Sequence, residues 1–298
     1  MPCFNANKTV SAYVADTVLE LMRKEGTGEV LMVNSAGVYL DAGNQMWLLC
    51  DISWGAVPIG IAIENFEENI KDLHIEQGRS FVYRENQLIF SGRELDLQCL
   101  PLGVRENIIE EPRLDLIRQA AQDIADLHKV RGISMLVSPL LLKDEIKDTV
   151  LLNPYSLRAY PILSRLAEAM SCGFDAEVED CVASLLGLGA GLTPSADDVM
   201  LGMLYAFRML GNKAPPSVKV FRESLANMCD AHTNKVSASY LKAVISGAYF
   251  ERIEQVYCGL CGVMPLDTSL LFEVGGSSGS EMLLGILIAL HICGYRIK

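Results

Sequence analysis

The most informative segment is Gly187-Leu188-Gly189-Ala190-Gly191-Leu192-Thr193-Pro194-Ser195-Ala196-Asp197-Asp198. Gly187, Gly189 and Gly191 alternate, so the backbone is free to take positive φ and to converge N–H groups without side chains in the way. Thr193-Pro194-Ser195 then opens an apolar run with helical spacing. Proline suits a first helical turn, where a missing N–H costs nothing. The N-terminus of the helix carries partial positive charge. Together these features suit the holding of an anion, phosphate or carboxylate. Asp197 and Asp198 are candidates for Mg²⁺ beside that anion. Two blander readings stand beside this one. The glycines would serve only close packing in a tight interhelical turn. Ser195 and Asp198 have capping-box spacing, so the acids would be a cap and a solvated side chain. The segment is not a P-loop, because no Lys follows the glycines. It is not a dinucleotide fingerprint, because the residues upstream read as helix.

A second segment has the same grammar. Val274-Gly275-Gly276-Ser277-Ser278-Gly279-Ser280-Glu281 precedes an apolar helix from Met282, with Ser278 and Glu281 again at capping-box spacing. If the two helices pack side by side, both N-termini point into one pocket; otherwise they are two well-capped helices. A third stretch runs from His232 to Leu241. On a helix, Thr233, Ser237 and Tyr240 share one stripe, either as pocket-lining groups or as satisfied core hydroxyls. Cys258-x-x-Cys261 has redox or zinc spacing, but no second ligand pair accompanies it, so it reads as buried structure. The four histidines are dispersed, and no nucleophile–base order stands out.

The elements that must position these residues are legible. The spacing of Val10, Val14, Val18 and Leu21 predicts a helix over Val10–Arg23. Seven β-rich runs follow: 30–33, 38–40, 46–50, 59–63, 81–83, 88–90 and 95–97. Hairpin turns are expected at Ser35-Ala36-Gly37, Ala42-Gly43-Asn44 and Arg84-Glu85-Asn86, and the set suggests a small sandwich or barrel. A helical stripe runs through Leu114, Ile117, Ala121, Ile124, Ala125 and His128. Ile133–Val137 reads as a strand or a buried extended piece. Helices are expected over 157–171, 174–186, 195–210, 216–230, 233–247, 250–262 and 278–293. The fold class is α+β, with a β-rich N-terminal domain and leading helix over 1–105 and a helical domain carrying both glycine loops over 106–298.

The composition narrows the function further. The chain has 298 residues and a net charge of −12. With no clustered Lys/Arg, nucleic acid is not the expected partner. The longest apolar run, Met282–Cys293, is too short to span a bilayer, so no membrane association is expected. The N-terminus lacks the layout of a signal peptide, and the expected location is the cytoplasm. Nine scattered cysteines read as reduced, mostly buried thiols.

The GLGAGLTPSADD loop, the VSASYL stretch at Val236–Leu241 and the GGSSGSE loop together resemble the AllH-type third subunit of oxamate carbamoyltransferase, an enzyme of anaerobic allantoin breakdown. Gly55–Ala62 and Ala243–Phe250 echo the family more loosely. Ala190 stands where the family pattern has proline, and Gly276 where it has histidine. The resemblance implies a subunit of a carbamoyl-transferring assembly in purine nitrogen catabolism, converting oxalurate and phosphate to oxamate and carbamoyl phosphate. It implies an FdrA-type subunit, similar to acyl-CoA synthetases, and a further transferase subunit as partners, and an oligomer. On this reading Asp197, Asp198 and Ser278 are the catalytic candidates. Gly187, Gly189, Gly191, Thr193, Ser195, Ser237, Tyr240, Gly275, Gly276, Ser277 and Gly279 are the candidate substrate or anion contacts. Mg²⁺ is the candidate cofactor, and there is no nucleotide motif. The alternative is a non-catalytic, anion-sensing or scaffold subunit of such an assembly.

Overall fold

The structure is a computed structural model that describes residues 9–34, 36–100, 110–127, 132–142 and 153–297. They form two compact units. One comprises the described residues of the span Met1–Glu106 together with Ser246–Glu251; the other comprises those of Asn107–Ile245 and Arg252–Lys298.

The first unit is a closed barrel of eight strands. They are β1 (Thr9–Val14), β2 (Gly26–Asn34), β3 (Gly37–Asp41), β4 (Met46–Asp51), β5 (Gly60–Ile63), β6 (Ser80–Arg84), β7 (Gln87–Phe90) and β8 (Arg93–Cys99). Their order around the barrel is β1-β5-β4-β3-β2-β6-β7-β8. The β1–β8 and β4–β5 pairings are parallel, and the others are antiparallel. Alternate residues such as Val10, Ala12 and Val14 on β1, or Leu88 and Phe90 on β7, enter one apolar core with Trp47, Phe81 and Tyr83. Short helices α1 (Asp16–Met22) and α2 (Phe66–Lys71) complete the unit. The excursion Ser246–Glu251 is tied in at Ala56. Its N–H donates to Glu251 Oε2 at 2.9 Å, and its carbonyl accepts from the Glu251 N–H at 2.9 Å.

All seven expected strands form. The eighth, β1, lies in the residues read as the start of a helix. Val10 and Val14 are four apart, a spacing that period 2 and period 3.6 share, and only Ala12 between them separates the two. The helix begins at Asp16 and buries Val18 and Met22. Of the three expected turns, Ser35 lies outside the described residues; β2–β3, β3–β4 and β6–β7 are antiparallel hairpin pairs as read.

The second unit is helical. It contains α3 (Leu114–Ala125), α4 (Pro154–Cys172), α5 (Asp175–Leu185), α6 (Ser195–Leu210), α7 (Val218–His232), α8 (Lys235–Ile245), most of α9 (Glu251–Leu260), α10 (Ser269–Phe272) and α11 (Ser278–Ile292). On α3, Ile117, Ala121 and Ile124 are buried while Leu114, at its first residue, is exposed; His128 lies outside the described residues. Ile133–Val137 is not extended. A 3-10 turn spans Ser134–Leu136 and a π-helical turn Ser138–Leu142. Ile133, Leu136, Val137 and Leu141 are buried, a helical spacing too brief to stand out in the sequence. Helices α6 and α11 are buried nearly all round, as core helices are. They pack on each other, and α11 also meets α3, α4 and α10. No described helix is long and apolar enough to cross a membrane.

Candidate functional site

Helices α6 and α11 start side by side. The Thr193 and Ser278 hydroxyl oxygens, from the two glycine loops, are 3.0 Å apart. The close approach depends on two glycines within the helices. A Cβ on Gly202 would overlap the Met282 carbonyl oxygen, and one on Gly285 would overlap that of Val199. Ser195, Asp198, Val199 and Gly202 on α6 thus have counterparts at the same spacing in Ser278, Glu281, Met282 and Gly285 on α11.

The expected capping boxes do not close within each helix; neither N-cap makes a side-chain capping bond. Glu281 instead accepts from Ser277 Oγ, the residue before α11, at 3.2 Å. Ser195 lies by Glu281 and Ser278 by Asp198, each favouring the charged form of the other helix's acid.

Three carboxyl groups are buried in this junction: Asp197, Asp198 and Glu281, at 1%, 3% and 0% exposure. Asp197 is fully engaged. Its Oδ1 accepts from the Gly187 N–H at 2.8 Å, and its Oδ2 accepts from Ser237 Oγ at 2.7 Å and from Thr233 Oγ1. Glu281 is engaged too, by the Ile133 N–H at 3.0 Å and Ser277 Oγ at 3.2 Å. Asp198 differs. Thr193 and Ser278 reach it with their hydroxyls, but its Oδ2 is buried with no hydrogen-bond partner among the described residues.

Burial lifts the pKa of all three acids, because a low-dielectric surrounding penalises the charged form. For Asp198 the Glu281 charge adds to the effect of burial, and the Ser278 and Thr193 hydroxyls oppose it. For Asp197 and Glu281 the hydroxyl and N–H donors oppose it. No ion pair reaches any of the three among the described residues.

The other sequence candidates divide by place. Gly191, Gly275 and Gly276 are exposed at the rim, and Thr193, Ser277 and Ser278 lie half-buried between rim and acids. The Gly187 N–H is taken by Asp197 and the Gly279 N–H by the Val274 carbonyl, so neither is left for a ligand. Gly189 packs on the start of α6, where a Cβ would overlap the Ser195 backbone nitrogen. Ser237 belongs to the Asp197 cluster; Tyr240 is buried further along α8.

Sequence reasoning left Glu281 and Thr233 off its site list. The matching Ser-x-x-Asp and Ser-x-x-Glu starts were the signal for Glu281. Nothing in the sequence marked Ile133, whose N–H comes from 148 positions away. A separate cleft of about 400 Å³, lined by Leu141, Leu163, Glu168, His291 and Arg296 among others, sits by the far end of α11. Burial pushes the Cys261 thiol up to about 12, with the Cys258 thiol also raised, which leaves neither poised as a thiolate.

Residues 185–290 match the family model described as "Oxamate carbamoyltransferase subunit AllH". Over that stretch the chain is AllH-like. The AllH match holds both glycine loops, all three buried acids and the whole of α6 and α8. It bears out the resemblance read from the motifs, and it does not extend into the barrel. No solved structure matches this chain.

Proposed function

We propose that this chain is a subunit of a carbamoyl-transferring assembly of the oxamate carbamoyltransferase type, with its substrate site where α6 and α11 begin. The observation that carries this reading is the Thr193–Ser278 contact, which joins two distant glycine loops inside the AllH-like stretch. In the degradative direction a phosphate oxygen attacks the carbamoyl carbon of oxalurate. The C–N bond to the oxamate nitrogen breaks, and the phosphate proton ends on that nitrogen. N–H groups of the exposed Gly191, Gly275 and Gly276 hold phosphate or carboxylate oxygens, and one hydroxyl of the hydrogen-bonded Thr193–Ser278 pair donates to the oxyanion that develops on the carbamoyl oxygen. Asp198, beside that pair, orients it. Asp197, with both oxygens engaged, is a positioning residue that fixes the Gly187 turn and the start of α8 against α6. An FdrA-type subunit and a further transferase subunit complete the assembly in the cytoplasm.

The test is carbamoyl phosphate formation by the chain co-purified with those partners. Thr193→Val with Ser278→Ala should lower kcat/KM at least about tenfold, roughly the loss of one transition-state hydrogen bond or more, with assembly intact. An unchanged rate favours the second reading, a scaffold or anion-sensing subunit. Gly276, where the family pattern has histidine, is the observation on that side.

A further inference from the structure

We propose that the cleft by the far end of α11 binds a zwitterionic metabolite of the α-amino-acid class that carries an aliphatic side chain. The cleft contains none of the candidate residues at the helix starts, so the inference stands apart from the transferase reading.

Two features of the sequence keep the cleft open. On α4, Ser164, Ala167 and Ser171 lie on one stripe and are small, which leaves space against α11 and the Ser138–Leu142 turn. The two serines spend their hydroxyls on α4 itself. Ser164 Oγ donates to the Tyr160 carbonyl at 3.0 Å, and Ser171 Oγ to that of Ala167 at 2.8 Å. After α11, Gly294 takes a φ of 97° and the Tyr295 N–H donates to the Leu290 carbonyl at 3.0 Å, a helix stop that turns the chain back. Ile297 is buried beyond it, and Arg296 between them borders the cleft.

The result is a cavity of about 400 Å³, a volume suited to a small ligand. Leu141, Leu163 and Ile288, all buried, give it an apolar floor. Glu168 and Arg296 stand exposed at its rim, and neither forms an ion pair among the described residues. Opposite charges that border one cavity without closing on each other leave both for a guest. The Arg296 fork matches a carboxylate, and the Glu168 carboxylate accepts from an ammonium group. The floor takes the aliphatic side chain. His291 also borders the cleft, so the rim's charge is zero with that ring neutral and plus one with it protonated. That balance suits a zwitterion better than a polycation or a polyanion.

The full chain is titrated by calorimetry with four probes. They are leucine, 4-methylpentanoate without the ammonium, 3-methylbutylamine without the carboxylate, and glycine without the side chain. Alkylation of Cys172, an exposed thiol at the rim, is followed by peptide mass spectrometry in the same samples. The expected result is saturable leucine binding at millimolar concentration or below, with each truncated probe at least about tenfold weaker and Cys172 alkylated more slowly when leucine is bound. Arg296→Met should weaken leucine about tenfold and leave 3-methylbutylamine unchanged. Glu168→Gln should weaken leucine and leave 4-methylpentanoate unchanged. Both side chains are exposed, so neither change threatens the fold. Leucine that does not saturate, glycine or 4-methylpentanoate binding as tightly as leucine, affinity retained in both variants, or an unchanged Cys172 rate would overturn the proposal.

Discussion

The barrel interior and the acids of the α6–α11 junction are both buried, yet they are surrounded by opposite chemistry. Trp47, Phe81, Tyr83 and Phe90 fill the barrel, with the Trp47 and Tyr83 rings edge-on at 4.8 Å and Phe81 stacked on Phe90 at 5.6 Å. Its stability comes from apolar area and aromatic packing. The junction holds three acids and at least seven hydroxyls or N–H groups in the middle of an apolar helix pair. Apolar interiors tolerate imperfection and lose stability by volume. Polar interiors lose it by count, one unsatisfied group at a time. The barrel leaves a buried polar atom, Trp47 Nε1, without a hydrogen-bond partner among the described residues, whereas the junction buries a group of acids around Asp198, and that concentration of polar groups supports the proposed site.

The comparison breaks first at Trp47. Trp47→Ala should cost about 4 kcal/mol in urea unfolding, through lost burial plus a cavity; a cost near zero would mean that the barrel is not packed through this ring. Next comes the helix contact. Gly285→Val, which pushes against the Val199 carbonyl, should cost about 2–3 kcal/mol by denaturation, against a few tenths for Gly276→Ala, where an added Cβ meets open space.

The sharpest test is a sign difference between neighbours. Asp197→Ala strips acceptors from Gly187, Thr233 and Ser237 and should destabilise by about 2 kcal/mol. Asp198→Asn removes a buried carboxyl that no ion pair offsets among the described residues and should stabilise the chain by about 1 kcal/mol in the same assay. Equal signs would erase the distinction drawn between the two acids.

The smallest effect belongs to the barrel. Asp51 caps a 3-10 turn at Ile52–Trp54 by accepting from the Ser53 N–H; the Ser53 hydroxyl first, and then that N–H, hold its carboxyl below the ordinary value. A lowered folded pKa adds stability above the unfolded value, and that stability is lost as pH falls through the folded one. Asp51→Ala should therefore cost about 0.5–1 kcal/mol at pH 7, with the difference from wild type narrowing between pH 5 and pH 3 in parallel melts.

Much of this was legible beforehand because it is local. Period-2 runs named seven of eight strands, and α6 was placed at its observed ends, Ser195 and Leu210. Turn residues marked the hairpins. The failures were local as well: Val10 and Val14 fit two periods at once, and Ile133–Leu141 is too short for its helical spacing to stand out.

Residue order alone was enough to specify the barrel's strands, the helices and two look-alike helix starts, each a serine three positions before an acid, because periodicity and turn chemistry act over a few neighbours. What it left open was that the two starts meet. Folding joined them, because Gly202 and Gly285 let the backbones close until the Thr193 and Ser278 hydroxyls came within 3.0 Å. That contact, and the burial of Asp197, Asp198 and Glu281 around it, exist only once the chain is packed, since hydrogen bonding responds to distance in space and carries no memory of distance along the chain.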